Sequence, residues 1–380
     1  MKRNSFLLLV CCAALLATGK PAHSQMPGPA PAGVETAVDP ELEKAQTAWH
    51  QAAAEAIENH LRTVAARGDS RSLLAAAMLW PQWQDDVGQG KRAAIAQEKR
   101  AWFDAARNAR PRDPLVAWVE ASGCFGLSDS CDRDDALRFL LQTDPDNAAV
   151  QTLAMVEADR SGTPVQVEAL WQSAALASTY DARTLQIGQL LYSSMQEATL
   201  PPLSAALARL MGQSLGMERD ATPEDMRDIN AMAVWTAVAL PAYQTITRRC
   251  SADALASLPP QHQAQCERVM TLLAEDETIL ISPMIGLRKM VELAGGRADG
   301  ESWRERLRQF HWVYENAQRS MSSSAEALPP EYISWVLLEG ELPAMRRLLE
   351  INGIPTVAPE DWLPERAEIR ALLMSTAAKG

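Results

Sequence analysis

A 34-residue period between about Lys91 and Met195 constrains the fold more than any other feature of the sequence. Pro111 and Pro145 are 34 residues apart, and each follows an apolar run. Three large apolar residues keep this spacing, each eight positions before a break: Phe103, Leu137 and Trp171. Three more apolar residues keep the same register: Ala106, Leu140 and Ala174. Such a period is typical of stacked pairs of amphipathic helices, so we expect the three large residues to occupy equivalent buried positions.

The segment from Asp144 through Gly162 resembles the turn and first helix of a tetratricopeptide repeat, and Tyr192 falls on the aromatic position of the next unit. The family's first-helix Trp, Leu and Gly positions are Gln151, Ala154 and Met155 here, and then Leu185, Gly188 and Gln189. The resemblance spans about a quarter of the chain. It implies a degenerate, tetratricopeptide-like α-solenoid of antiparallel helix pairs. It carries over no ligand-binding residue, because the family binds through variable inner-face positions.

No segment combines sustained alternation of apolar and polar residues with turn residues, so we predict an all-α protein with no significant sheet. One helix is expected over residues 223–247 and another from Cys266 to Glu277. Pro201-Pro202 marks the point beyond which the period is not kept. The predicted organisation is a signal peptide (1–24), a flexible leader (25–38), an N-terminal helical-repeat region (39–200), a C-terminal helical region (201–354) and a tail (355–380).

The first 24 residues have the pattern of an export signal. Lys2 and Arg3 form a basic start, an apolar run follows from Phe6 to Ala17, and Ala22-His23-Ser24 fits a cleavage site. The apolar run is too short to indicate a membrane span, and its two cysteines lack the preceding small residue of a lipoprotein signal. We therefore expect a periplasmic (Gram-negative) or secreted protein with no stable membrane anchor after cleavage.

The chain is acidic, with a formal net charge of −12. Removing the three cations of the signal peptide, Lys2, Arg3 and Lys20, takes this value to −15. Nucleic acids and anionic lipid surfaces are recognised by clustered cations, so the composition argues against both as partners. Solubility is the plain interpretation of the charge.

Four cysteines follow the signal peptide: Cys124, Cys131, Cys250 and Cys266. An even number in an oxidising compartment indicates two disulfides. Three pairings are formally open, and we favour the local one, 124–131 and 250–266, because each pair brackets a predicted loop. A closed loop of about 15 residues contributes about 3 kcal/mol in the chain-entropy model. Zinc is disfavoured, because there is no C-x-x-C and only His262 lies near a cysteine.

No catalytic, cofactor-binding or metal-binding residue is predicted. The sequence lacks G-x-S-x-G, S-x-x-K, H-E-x-x-H and a phosphate-binding glycine loop. His50 and His60 share one predicted helix but differ by about 80° in direction, which does not suit a metal pair. The aspartates between Asp129 and Asp135 lack EF-hand spacing, so we interpret them as helix caps rather than calcium ligands.

A predicted helix over residues 300–321 carries aromatic residues on two sides. Four of its residues lie on one stripe: Trp303, Leu307, Phe310 and Tyr314. Trp312 points the opposite way, with His311 and Glu315 between the two sides. Two interpretations stay open: packing on both sides, or a concave binding surface lined by His311, Trp312 and Glu315. Trp83 near Pro81 has the same two interpretations, as a plug for a helical hairpin or as a ligand platform.

These patterns favour an exported, non-enzymatic binding or scaffold protein whose helical-repeat grooves hold a protein or peptide partner. The alternative is an inhibitor or immunity-type protein that blocks an exported effector enzyme, since an acidic surface steers towards basic partners. A third hypothesis is an enzyme with an unrecognised site. Replacing His311 with alanine distinguishes them, because an enzyme would lose activity and a binding protein only partner capture.

Overall fold

The computed structural model describes residues 39–79, 89–124, 127, 131–215, 217–238, 242–295, 297–322 and 328–374. The predicted signal peptide and leader, Trp83 and the last six residues lie outside these ranges. All regular structure within the ranges is helical, apart from one isolated bridge between Asn147 and Thr179. The all-α prediction is therefore confirmed.

Nine of the described helices precede residue 220: α1 Pro40–Ala65, α2 Ser70–Met78, α3 Gln89–Asn108, α4 Pro114–Ala121, α5 Arg133–Thr143, α6 Ala148–Arg160, α7 Pro164–Leu176, α8 Thr184–Met195 and α9 Ala205–Ser214. Nine more follow: α10 Pro223–Thr236, α11 Tyr243–Arg249, α12 Ala252–Ser257, α13 Gln261–Glu275, α14 Ile281–Ala294, α15 Gly300–Ser322, α16 Tyr332–Glu339, α17 Glu341–Ile351 and α18 Ala367–Met374. None of the helices in the described ranges is long and apolar enough to cross a membrane.

Helix starts follow the capping residues of the sequence. The Asp39 side chain accepts a hydrogen bond from the Glu41 amide at 3.0 Å before α1. Thr222 and Asp225 form a capping box at α10. The Asp225 amide donates to the Thr222 hydroxyl at 3.2 Å, and the Thr222 amide donates to the Asp225 carboxylate at 2.7 Å. Caps of this kind contribute about 1 kcal/mol each, because they satisfy amides that have no partner in the helix.

The 34-residue period corresponds to three packed helix pairs: α2 with α3, α4 with α5, and α6 with α7. Phe103, Leu137 and Trp171 lie in the second helix of successive pairs and are 0%, 6% and 0% exposed. They occupy equivalent buried positions, as expected from their spacing.

The turns of the period also contact each other. The Asn147 side chain accepts a hydrogen bond from the Asp181 amide at 3.0 Å and donates one to the Asp181 carbonyl at 2.9 Å, across 34 residues. The Ala148 amide donates to the Thr179 carbonyl at 2.8 Å. The turns before α6 and α8 therefore lie side by side. The resemblance to tetratricopeptide repeats itself stays a prediction.

The helices do not form an open series in which each helix contacts only its neighbours in sequence. Helix α8 packs against α2, α10 and α16. On α1, the Trp49 indole donates to the Pro201 carbonyl at 3.0 Å, and the His60 ring lies 2.7 Å from the Ser194 carbonyl. Units of an open solenoid contact only their neighbours, whereas here the first hairpin returns to α8 and the chain after it. One apolar core extends through both predicted helical regions.

The single helix predicted over residues 223–247 is wrong. Helix α10 ends at Thr236 and α11 begins at Tyr243. The sequence has Pro241 between them, and proline lacks the amide that a continuous helix needs. Helix α13 begins at Gln261, five residues before the predicted start at Cys266.

Both disulfides have the predicted local pairing, Cys124 with Cys131 and Cys250 with Cys266. The second encloses α12, so its loop is partly helical. Beside it, the Arg249 guanidinium lies 5.0 Å over the Trp171 ring and pairs with Glu168 at 2.6 Å. The disulfide therefore lies where the C-terminal helices pack on α7.

Candidate functional site

Helix α15 has an apolar side and an opposite side on which polar and charged residues flank Trp312. On the apolar side, Leu307 and Phe310 are buried. Helix α15 packs against α14 and α17. The opposite side carries Arg308, Trp312 and Glu315, at positions i, i+4 and i+7, which lie on one stripe. We call Arg308, Gln309, Trp312 and Glu315 the α15 face.

Residues 355–365, between α17 and α18, lie on the α15 face without forming a helix. We call this segment the strap. The Trp312 indole donates to the Pro355 carbonyl at 2.7 Å, and the Gln309 side-chain oxygen accepts from the Ala358 amide at 2.8 Å.

The remaining two residues of the face complete the contact. The Arg308 guanidinium donates to the Pro359 carbonyl. The Glu315 carboxylate accepts from the Glu365 amide at 3.0 Å. In order along the strap, the helix positions contacted are 312, 309, 308 and then 315. The strap therefore runs towards the start of α15 and turns back.

These four contacts share one property: a helix side chain binds a main-chain atom of the strap. Few strap side chains are enclosed. Ala358 and Pro364 are buried, and Trp362 packs edge-on against Trp312 with ring centroids 5.2 Å apart. Main-chain groups are the same in every sequence, so the face can hold a non-helical segment with little dependence on its side chains.

Burial raises the pKa of the Glu315 carboxyl, and the Glu365 amide that it accepts from acts in the opposite direction. Burial also lowers the pKa of His311 to about 4, and the nearby cations Arg366 and Arg288 add to this effect. His311 is therefore neutral at pH 7. Its Nδ1 lies 3.8 Å from Glu315, too far for a hydrogen bond, and is buried without a hydrogen-bond partner among the described residues.

The structure places the predicted surface residues as follows. Trp312 and Glu315 lie together under the strap, whereas His311 is buried behind them and only 3% exposed. Trp83 lies outside the described residues. The sequence interpretation missed Arg308, Gln309 and the strap. The signal for Arg308 was present, because it stands one helical turn before Trp312 on the same side.

The α15 face supplies hydrogen-bond donors and acceptors. His311, next to the face on α15, is 3% exposed. Of the other described histidines, His60 contacts the Ser194 carbonyl, His262 contacts the Arg249 carbonyl, and the His50 ring lies edge-on to Trp49. No three His, Cys, Asp or Glu side chains in the described ranges are grouped as a metal ion requires.

Comparisons with protein-family models, with curated proteins and with solved structures found no match. The function has to be inferred from the residues of this chain.

Proposed function

We propose that the protein is an exported, non-enzymatic binding protein whose α15 face holds a non-helical peptide segment of a protein partner. Its own strap occupies the face in the absence of that partner. The observation that carries the proposal is the set of four bonds from helix side chains to strap main-chain atoms.

The contacts favour a partner with small or proline residues at two positions. Ala358 and Pro364 are the enclosed positions of the strap, and a larger side chain has less room at either. An aromatic residue between them can pack on Trp312, as Trp362 does. Of the other strap positions, Thr356 is partly buried and the Glu365 carboxylate pairs with Arg319 at 3.2 Å, whereas the rest are exposed and leave the partner sequence free.

The free energy of the strap contacts is small enough for a partner segment to displace the strap. A hydrogen bond contributes about 1 kcal/mol net, so four bonds give a free strap peptide a Kd on the order of millimolar, improved by its enclosed side chains. A tethered segment has an effective concentration of about millimolar. The strap is therefore held largely because it is attached, and a partner with better side-chain fit can displace it.

Export is supported by the two disulfides, which persist in oxidising compartments. The non-enzymatic part is supported by the burial of His311. Export is tested by mass spectrometry of the non-reduced protein from its native compartment, which should show both disulfides. The absence of catalysis is tested by the His311→Ala variant, in which an enzyme would lose its activity.

The binding proposal is tested by freeing the strap after the protein has folded. A protease site is inserted after Gly353, which is exposed and has a φ of +65° that suits a turn. After cleavage, a labelled peptide of residues 355–374 should bind, measured by fluorescence anisotropy. Uncleaved protein should bind it at least about twofold more weakly, because the attached strap competes at an effective concentration close to its Kd.

Two variants identify the site. Trp312→Ala should weaken peptide binding by about tenfold, because an indole bond and a ring contact are lost. Gln318→Ala, on the same helix but without a described polar contact, should have no effect. If the cleaved protein binds the peptide no better than the intact protein, the α15 face is not an exchangeable site.

A further inference from the structure

The strap and α18 are seated together on α14 and α15. Helix α18 packs against both of these helices, and the strap lies on the α15 face. Arg319 of α15 adds an ion pair to Glu365 at 3.2 Å. We call residues 355–374 the arm. Helices α14 and α15 are the same in every copy of the chain, so the arm of one copy fits the α15 face of another.

A tight turn joins the arm to α17. The Gly353 amide donates to the Glu350 carbonyl at 3.1 Å, and the Ile354 amide donates to the Leu349 carbonyl at 2.8 Å. These two bonds form a Schellman motif. Gly353 has a φ of +65°, a conformation that glycine adopts without strain. Residues 352–354, which we call the hinge, therefore set the direction in which the arm leaves α17.

Exposed apolar residues are concentrated at the hinge and the arm. Four of the eight most exposed large apolar residues of the described ranges lie here: Ile351, Val357, Leu363 and Met374, at 57%, 67%, 42% and 66% exposure. The hinge spans only about 10 Å when extended, so two copies that exchange arms bring their hinges close together. Ile351 and Val357, one on each side of the hinge, can then be covered by the second copy.

Exchange of the arm preserves the contacts of the α15 face. Its four bonds reach main-chain atoms of the strap, which are the same whichever copy supplies the strap. The closed chain is favoured only by attachment, which corresponds to an effective concentration of about millimolar. Strain in the closed hinge and covered apolar area both favour the exchanged pair, because each counts twice in a two-fold dimer.

We propose that the arm exchanges between two copies of the chain, so that the α15 face of each copy holds the strap of the other in a two-fold dimer. The partner of the α15 face is then a second copy of this chain. This inference rests on the proposed function, because it requires that the strap leaves the face.

The test puts strain into the closed hinge of the full chain. Gly353→Ala disfavours the positive φ by at least about fivefold in equilibrium constant. An added Cβ meets nothing within 4 Å, so the effect is conformational. Exchange relieves two hinges in each dimer. The dimer dissociation constant, measured by sedimentation equilibrium, should therefore fall at least about 25-fold relative to the wild type.

Gly162→Ala is the matched control. Helix α6 ends in the same motif, with the Gly162 amide donating to the Asp159 carbonyl at 3.2 Å and the Thr163 amide to the Ala158 carbonyl at 3.1 Å. Gly162 has a φ of +68°, and an added Cβ again meets nothing within 4 Å. This variant should lose as much thermal stability as Gly353→Ala, whereas its dimer dissociation constant should equal that of the wild type.

Cross-linking locates the contact between copies. Gln309→Cys is placed in one copy and Ala358→Cys in the other, because the Gln309 side chain and the Ala358 amide are 2.8 Å apart. With Gly353→Ala in both copies, a short bifunctional maleimide should join the two chains covalently, as seen on a non-reducing gel. With Gly162→Ala in both copies instead, the yield should be at least about tenfold lower.

Two outcomes overturn the exchange. One is equal self-association of the two glycine variants, and the other is a Gly353→Ala dimer that gives no cross-link between positions 309 and 358. If the cleaved protein nevertheless binds the peptide of residues 355–374, the proposed function stands and the partner is a different protein. If it does not bind the peptide, both proposals fail.

Discussion

Replacing Glu341 with glutamine should remove a large part of the pH dependence of stability. Glu341 begins α17, and its carboxylate accepts a hydrogen bond from the Leu280 amide at 2.6 Å. Gly340 before it has a φ of +101°, and a Cβ there would lie 2.9 Å from the Thr278 Cα. The turn into α17 therefore lies directly against the chain before α14, which covers part of the Glu341 side chain.

Burial raises the pKa of Glu341 from 4.5 to about 7, and the nearby carboxyl of Asp276 acts in the same direction, while the Leu280 amide opposes them. The folded protein thus holds a proton that the unfolded chain releases above pH 4.5. Stability from this group is complete at low pH, falls as the pH rises towards 7 and is lost above it. The shift corresponds to about 3 kcal/mol.

The assay is urea unfolding of the wild type and Glu341→Gln, followed by far-UV circular dichroism with the disulfides intact. Glutamine keeps an oxygen for the Leu280 amide but does not ionise. Between pH 5 and pH 8, on either side of the pKa of about 7, the wild type should lose about 2–3 kcal/mol relative to the variant. Glu350→Gln, an exposed glutamate on the same helix, should follow the wild type.

At each pH, the unfolding free energy of the wild type is compared with that of the variant. His311 is present in both proteins, and its contribution to the pH dependence of stability has the opposite sign. Equal differences in unfolding free energy at pH 5 and pH 8 would show that Glu341 is already ionised in the folded protein, and the reasoning from burial would be refuted.

Three further predictions concern single residues. His311, with a pKa near 4, stays neutral in the folded protein while the unfolded chain takes up a proton below 6.5. Its contribution to stability is therefore present above pH 6.5 and lost as the pH falls to 4; an NMR titration midpoint near 6.5 would contradict this. Glu120→Ala should cost about 3–5 kcal/mol by urea unfolding, because this 2%-exposed carboxylate pairs with Arg107 at 3.1 Å and Arg112 at 2.9 Å. A cost below 1 kcal/mol would exclude a buried network. Trp171→Ala should cost about 3–5 kcal/mol, since the fully buried indole lies between α7 and the second disulfide; exposed Gln172→Ala is its control.

Local features of the fold could be predicted because their causes are close in sequence. Asp39-Pro40 and Thr222-Pro223 mark helix starts through caps that reach only two or three residues ahead. The buried positions of Phe103, Leu137 and Trp171 follow from a period of 34 residues, and the disulfide pairing from short separations.

Part of the candidate site could also be predicted from the sequence. The spacing within residues 300–321 separates Trp312 from the apolar stripe of α15, and the structure has both sides covered, with Leu307 and Phe310 buried and the strap on Trp312. That the strap is the segment covering Trp312 could not be predicted, because 43 residues separate Trp312 from Pro355 and no local pattern connects them.

The sequence by itself determined helix class, helix starts, the repeating buried positions and the cysteine pairs, since each depends on neighbours within one helix, turn or period. Only the tertiary structure decided that the first hairpin returns to α8, that Glu120 is enclosed and Glu341 partly covered, and that the strap lies on α15. These features depend on which distant surfaces meet, and the free energy of such contacts comes from burial and geometry that residue spacing does not encode.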